Sequence, residues 1–180
     1  WSVLVLERGR RWRPEDYPRN PDDAWLFDPD EPHRQNGWMD LRPLGNVWVA
    51  QGAGVGGGSL IYANVSIDAK PESFASGWPA PISHDVLRPY YARVASMLKP
   101  EVLPDTQATP RYLLMQQAAY ATGAANRLRK VDLAVSFDPD GSFPETRPMT
   151  EAAARTFTND FGRQQGYCTH VGNCDIGCKA

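Results

Sequence analysis

The 180-residue sequence predicts an α/β fold, an α+β mixture of helix and strand, from three observations. A continuous run of apolar, mostly branched residues (SVLVL, residues 2–6) stands near the start of the chain. Two later stretches carry apolar residues at helical spacing between recognisable caps. Five glycines fall within seven positions, 52–58, before an abrupt return to branched and aromatic residues.

In chain order, residues 2–6 fit a strand buried on both faces, as in a parallel sheet, closed by Glu7 and Gly9. Residues 10–42 are rich in Pro, Asp, Arg and Trp and follow neither the helical nor the strand period. Trp12, Trp25, Trp38 and Phe27 supply packing that a disordered linker would lack, so this stretch reads as a long ordered excursion. Residues 46–50 (NVWVA) are a short strand leading into the glycine loop. Val86, Leu87, Tyr90, Tyr91, Val94 and Leu98 recur at helical spacing, with Ser83 as N-cap and Pro100 just past the end. These signals give a helix over 85–98, and Pro89 is tolerable near its first turn. Thr109 caps a second helix that has Pro110 at its first position and Gly123 as its stop. Residues 130–137 alternate into a strand closed by the turn DPDG, 138–141.

Hydrophobic residues make up 42% of the chain, enough for one domain with a core. A formal net charge of -2, a pI near 5.9 and scattered basic residues argue against a nucleic-acid partner. No apolar run approaches the roughly 18 residues of a membrane span. The chain enters an apolar strand at once and stops two residues after Cys178, which leads us to expect an internal piece of a longer polypeptide.

Two constellations carry chemistry. In dinucleotide-binding βαβ units the second strand ends in an acid that accepts hydrogen bonds from ribose hydroxyls, about 20 residues after a glycine fingerprint. Glu7 suits that place, and a solvated Glu at a strand end is the plainer alternative. Gly52, Gly54, Gly56, Gly57 and Gly58 strip the side chains from one short loop and leave peptide N–H donors to face an anion such as a pyrophosphate. A tight turn with close backbone packing is the alternative. Ser59 would cap the next segment or donate to the ligand.

The pairing of VLVLERG with GAGVGGGSLIYANV some forty residues later resembles the glucose-methanol-choline (GMC) family of flavoprotein oxidoreductases, most of all its sterol-oxidising bacterial members. The likeness covers residues 1 to about 74. It implies a partial Rossmann-like FAD-binding domain over 1–70, lacking the N-terminal G-x-G-x-x-G strand and helix, and the start of a substrate or cap region over 71–180. It also implies that Glu7 binds the FAD ribose, that Gly52, Gly57, Gly58 and Ser59 run along the pyrophosphate, and that Ala63 and Val65 lie near the flavin ring. The implied activity is oxidation of the CH–OH group of a small-molecule alcohol by hydride transfer to flavin N5, with a base taking the hydroxyl proton. The family's base is a His near the C-terminus, so no catalytic residue is named in these 180. The expectation is that the 180 residues alone neither retain FAD nor turn over.

Cys168, Cys174 and Cys178 are all the cysteines, in a C-x5-C-x3-C spacing. They fit metal-free thiols or a local disulfide, a zinc site with His170, or an iron–sulfur cluster. The spacing resembles the [3Fe–4S] site of a GMC dehydrogenase subunit, which implies an electron-acceptor partner. A chain whose glycine loop is merely structural would instead be a metal-binding or interaction module. His33 and His84 stand in no catalytic motif, and Asp138 and Asp140 lack the further oxygens of a calcium site.

Overall fold

The computed structural model describes residues 2–18, 20, 22–34, 36–143, 154–175 and 178. The chain divides into two compact units: unit 1 is Trp1–Ala63 with Gly172–Lys179, and unit 2 is Asn64–Val171 with Ala180.

Unit 1 is built on a hairpin. Strand β1 (Met39–Leu44) pairs antiparallel with β2 (Val47–Gly52), in register from Met39 opposite Gly52 to Leu44 opposite Val47. Gly45, at φ +61°, supplies the left-handed residue that a two-residue hairpin turn demands. Alongside Met39 runs the segment 25–27. Phe27 N–H donates to Met39 O at 2.8 Å, and Met39 N–H donates to Trp25 O at 3.1 Å. The expected packing of the excursion is present: Trp38 meets Trp12, Tyr17 and Trp25 with ring centroids 6.5, 6.0 and 6.4 Å away. With Phe27 and Ala53, Trp38 forms the buried apolar centre of the unit.

Two expectations for this unit change. Residues 2–6 join no sheet among the described residues, and Val3, Leu4, Val5 and Leu6 are 84, 83, 81 and 87% exposed. The run has strand composition, but a ladder needs a neighbour and none of the described strands lies alongside it. The short strand at 46–50 becomes β2, and its partner β1 was hidden because Asp40, Arg42 and Pro43 interrupt any apolar alternation.

Unit 2 holds a small antiparallel sheet in the order β3 (Val65–Ser66), β5 (Asp132–Leu133), β4 (Glu101–Val102), and a hairpin of β6 (Thr156–Thr158) with β7 (Gln164–Gly166). The strand expected over 130–137 contracts to the two residues of β5, and the turn after it is closed by Gly141 N–H donating to Asp138 O at 2.9 Å. Both helices form: α1 is His84–Leu98 and α2 is Pro110–Ala121. Ser83 Oγ accepts from Val86 N–H at 3.4 Å and Thr109 Oγ1 from Tyr112 N–H at 3.3 Å, which satisfies one orphan donor at each start. Neither helix buries a residue fully. Helix and strand are thus mixed as expected, but every strand pair among the described residues is antiparallel, and parallel pairing occurs only as isolated bridges at Arg10 with Gly54 and Leu26 with Met39.

Candidate functional site

The glycine loop and the segment after residue 6 come together in unit 1. Arg10 bridges Gly54 in parallel, and Val55 N–H donates to Arg10 O at 3.1 Å. Gly9 lies so close that a Cβ there would fall 2.3 Å from the carbonyl carbon and oxygen of Ala53. Trp12 Nε1 donates to Ala53 O at 3.0 Å, and the Arg10 guanidinium sits 3.9 Å above the Trp12 ring. Ala53 itself is fully buried. Glu7, at the head of this segment, is exposed, and its Oε1 accepts the Gly9 N–H at 2.8 Å.

The five glycines divide by cause. Gly52 and Gly54 serve close packing: a Cβ on Gly52 would fall 2.0 Å from Gly57 O, and one on Gly54 would fall 2.5 Å from the Trp12 ring. Gly56 and Gly57 hold left-handed backbone at φ +118° and +52°, where an L side chain is strained. Gly58 has neither reason, since a Cβ there would meet nothing within 4 Å.

The loop uses part of its own donors in a 3-10 turn over Gly57–Leu60. Gly57 N–H donates to Gly54 O at 2.9 Å, Ser59 N–H to Gly56 O at 3.1 Å, and Ile61 N–H to Gly58 O at 3.2 Å. The Ser59 hydroxyl also donates to Gly56 O, at 2.8 Å, so it braces the loop. The exposed amides of Gly56 and Gly58 find no acceptor among the described residues. The expected row of open donors therefore narrows to alternate positions, because a 3-10 turn consumes the others.

Past the loop, Ala63 and Asn64 are consecutive left-handed residues, at φ 59° and 60°. That backbone is uncommon for a residue with a Cβ and costs Ala63 about 1 kcal/mol. Val65 is partly exposed at the start of β3 in unit 2. Burial, and then the charge of Cys174, raise the Tyr62 phenol above its usual range.

Cys174 and Cys178 belong to unit 1 and Cys168 to unit 2. None forms a disulfide, and among the described residues no group of three or more His, Cys, Asp or Glu is gathered as a metal ion would require. Asp138 and Asp140 are taken by Arg155, at 2.8 and 3.3 Å, which raises the Arg155 guanidinium pKa through its hydrogen bond to Asp140.

Two clusters escaped the sequence reading. Asp40, 1% exposed, takes Arg8 Nη2 at 2.5 Å and Arg42 Nε at 3.2 and 3.0 Å. The alternation Asp40–Leu41–Arg42 puts acid and base on one face of a strand, the signal that would have found that pair. In unit 2, buried Gln107 donates from Nε2 to Asp138 O at 2.7 Å, which leaves Oε1 to face His170 Nε2 at 2.9 Å. The His170 proton therefore sits on Nε2. The ring stacks on Phe137 at 6.0 Å and meets Phe143 edge-on at 5.6 Å, and its burial lowers the imidazole pKa.

The chain is similar to curated cholesterol oxidases. It is 27% identical over 187 residues to that of Acinetobacter baumannii, covering 99% of this chain and 31% of the relative. It is 29% identical over 186 residues to those of Mycobacterium tuberculosis strains CDC 1551 and H37Rv, covering 99% of this chain and 30% of each. The chain thus spans about a third of the length of these relatives. No family model and no solved structure matches it.

Proposed function

We propose that these residues belong to an FAD-dependent oxidoreductase of the GMC type that acts on the CH–OH group of an alcohol, sterol-like by analogy with relatives named cholesterol oxidase. Residues 1–70 are the partial Rossmann-like nucleotide-binding part, and residues 71–180 open the substrate region. The observation that carries this reading is Gly58: it is exposed, its N–H is open, and a bare position there answers no need of the fold. The residues fit a nucleotide diphosphate, since space stands where a side chain would be and the acid-bearing segment runs beside the loop.

When bound, the flavin supplies the acceptor for the hydride leaving the alcohol carbon. The residues of this chain bind and orient. The amides of Gly56 and Gly58 would donate to the diphosphate, with Gly52, Gly57 and Ser59 shaping the loop that presents them. Glu7, whose Oε1 accepts the Gly9 N–H, would accept from the ribose hydroxyls. Ala63 and Val65, which follow the loop, would lie near the flavin ring. No base for the hydroxyl proton is assigned in this chain.

The test is Gly58→Ala in the full-length polypeptide that carries these residues. The amide remains, but the methyl would stand where the diphosphate approaches, so FAD binding should weaken roughly tenfold or more, the scale of one charge-assisted hydrogen bond kept from forming. The unfolding midpoint of flavin-free protein should stay unchanged, because the new methyl has no neighbour. A wild-type protein whose absorbance shows no flavin and that takes none up, or a variant that binds FAD as wild type does, defeats the proposal.

A further inference from the structure

Asp40 is the buried charge of unit 1 that the flavin reading leaves unused. A carboxylate this deep persists only when it is paired. Its two partners are not equivalent. Arg42 lies two residues along the same strand, so that pair ties β1 to nothing else. Arg8 arrives from the segment beside the glycine loop, and its guanidinium also lies 5.2 Å above the ring of buried Phe27.

Immediately after Arg8 the chain packs on the loop: Gly9 lies against Ala53, and the Arg10 carbonyl accepts the Val55 N–H. Arg8 sits in a bend directly after the exposed Glu7. Arg8 reaches Asp40 from this bend, while the Glu7 carboxylate beside it stays exposed and accepts the Gly9 N–H through Oε1.

We propose that Asp40 is a positioning residue: through Arg8 it holds residues 7–10 against the glycine loop and so presents the Glu7 carboxylate to the ribose of the nucleotide. This role rests on the flavin-binding function proposed for the loop.

Two readouts in the full-length polypeptide test it: hydrogen exchange of the Gly9 and Val55 amides in flavin-free protein, and the FAD dissociation constant. Arg8→Met leaves Asp40 paired with Arg42 and so should fold. It should speed exchange at both amides and weaken FAD roughly tenfold, the effect of releasing one charge-assisted contact. Asp40→Asn should do at least as much. Arg8→Lys keeps the charge and should recover part of both losses. Wild-type exchange and binding in Arg8→Met overturn the role of Asp40, whatever Asp40→Asn does to folding. An Arg8→Lys as poor as Arg8→Met also overturns it, since packing on Phe27 would then be what holds the segment. Flavin bound equally by wild type and Arg8→Met removes only the positioning role, whereas wild-type protein without flavin removes the functional reading with it.

Discussion

The two units keep their shape by different means. Around the glycine loop of unit 1, backbone meets backbone: Gly9 on Ala53, Gly37 on Trp25 and Gly52 on Gly57, with no space for a methyl group at any of the three. In unit 2 the helices bury nothing fully, and among the described residues its buried side chains are polar Gln107, 2% exposed, and Phe137, 5% exposed. Unit 1 should therefore respond to added volume, and unit 2 to lost hydrogen bonds and to protons.

The largest effect is expected from Gly9→Ala. Its Cβ would lie 2.3 Å from Ala53 C and O and 2.5 Å from Gly54 N, all main-chain atoms that cannot rotate away. Overpacking of this kind costs about 3 kcal/mol, at the upper end of the usual range. Urea unfolding followed by tryptophan fluorescence suits unit 1, whose cluster contains Trp12, Trp25 and Trp38. A loss below about 1 kcal/mol would mean that the close approach is soft, and the contrast between the units would fail.

The legibility of the sequence divides along the same line. Both helices were legible because their signals are local: Ser83 and Thr109 as caps, Pro110 at the first position, apolar residues three and four apart. The glycine loop was legible as a cluster, but the reasons for its members were not, since the neighbours of Gly52 and Gly54 are fixed by folding. Strand β1 was lost because Asp40, Arg42 and Pro43 are poor strand formers, and its pairing with β2 overrides them. The burial of Asp40 was hidden for a related reason. An aspartate is ordinarily exposed, and the Arg8 that compensates it stands 32 positions earlier. Residues 2–6 show the converse: composition alone proposed a strand that no described neighbour completes.

Gln107→Leu sharpens the contrast from the other side. The substitution keeps most of the volume but leaves the His170 Nε2–H without its partner and the Asp138 carbonyl with only the Gly141 N–H. One group left unpaired and one hydrogen bond lost at the carbonyl cost about 2 kcal/mol. The loss should register in unit 2, as faster exchange of the Gly141 amide that closes the turn on Asp138. Unchanged stability and exchange would mean that the polar pair does not hold unit 2.

The smallest effect is the pH response of the same pair. Burial lowers the His170 pKa, so the folded chain favours the neutral ring, whereas the unfolded chain titrates near the ordinary value of about 6.5. Above that value neither state takes up the proton, and the full stability is present. As pH falls below about 6.5 the unfolded state binds the proton first, so stability declines until the folded pKa is passed. The unfolding midpoint of unit 2 should therefore drop between about pH 7 and 5. His170→Asn is the control. Position 170 has φ +59°, which Asn tolerates better than most residues, and Asn does not titrate. The variant should start less stable, having lost the stacking on Phe137, but it should lose less with falling pH than wild type does. An equal decline in both would assign the pH response to groups other than His170.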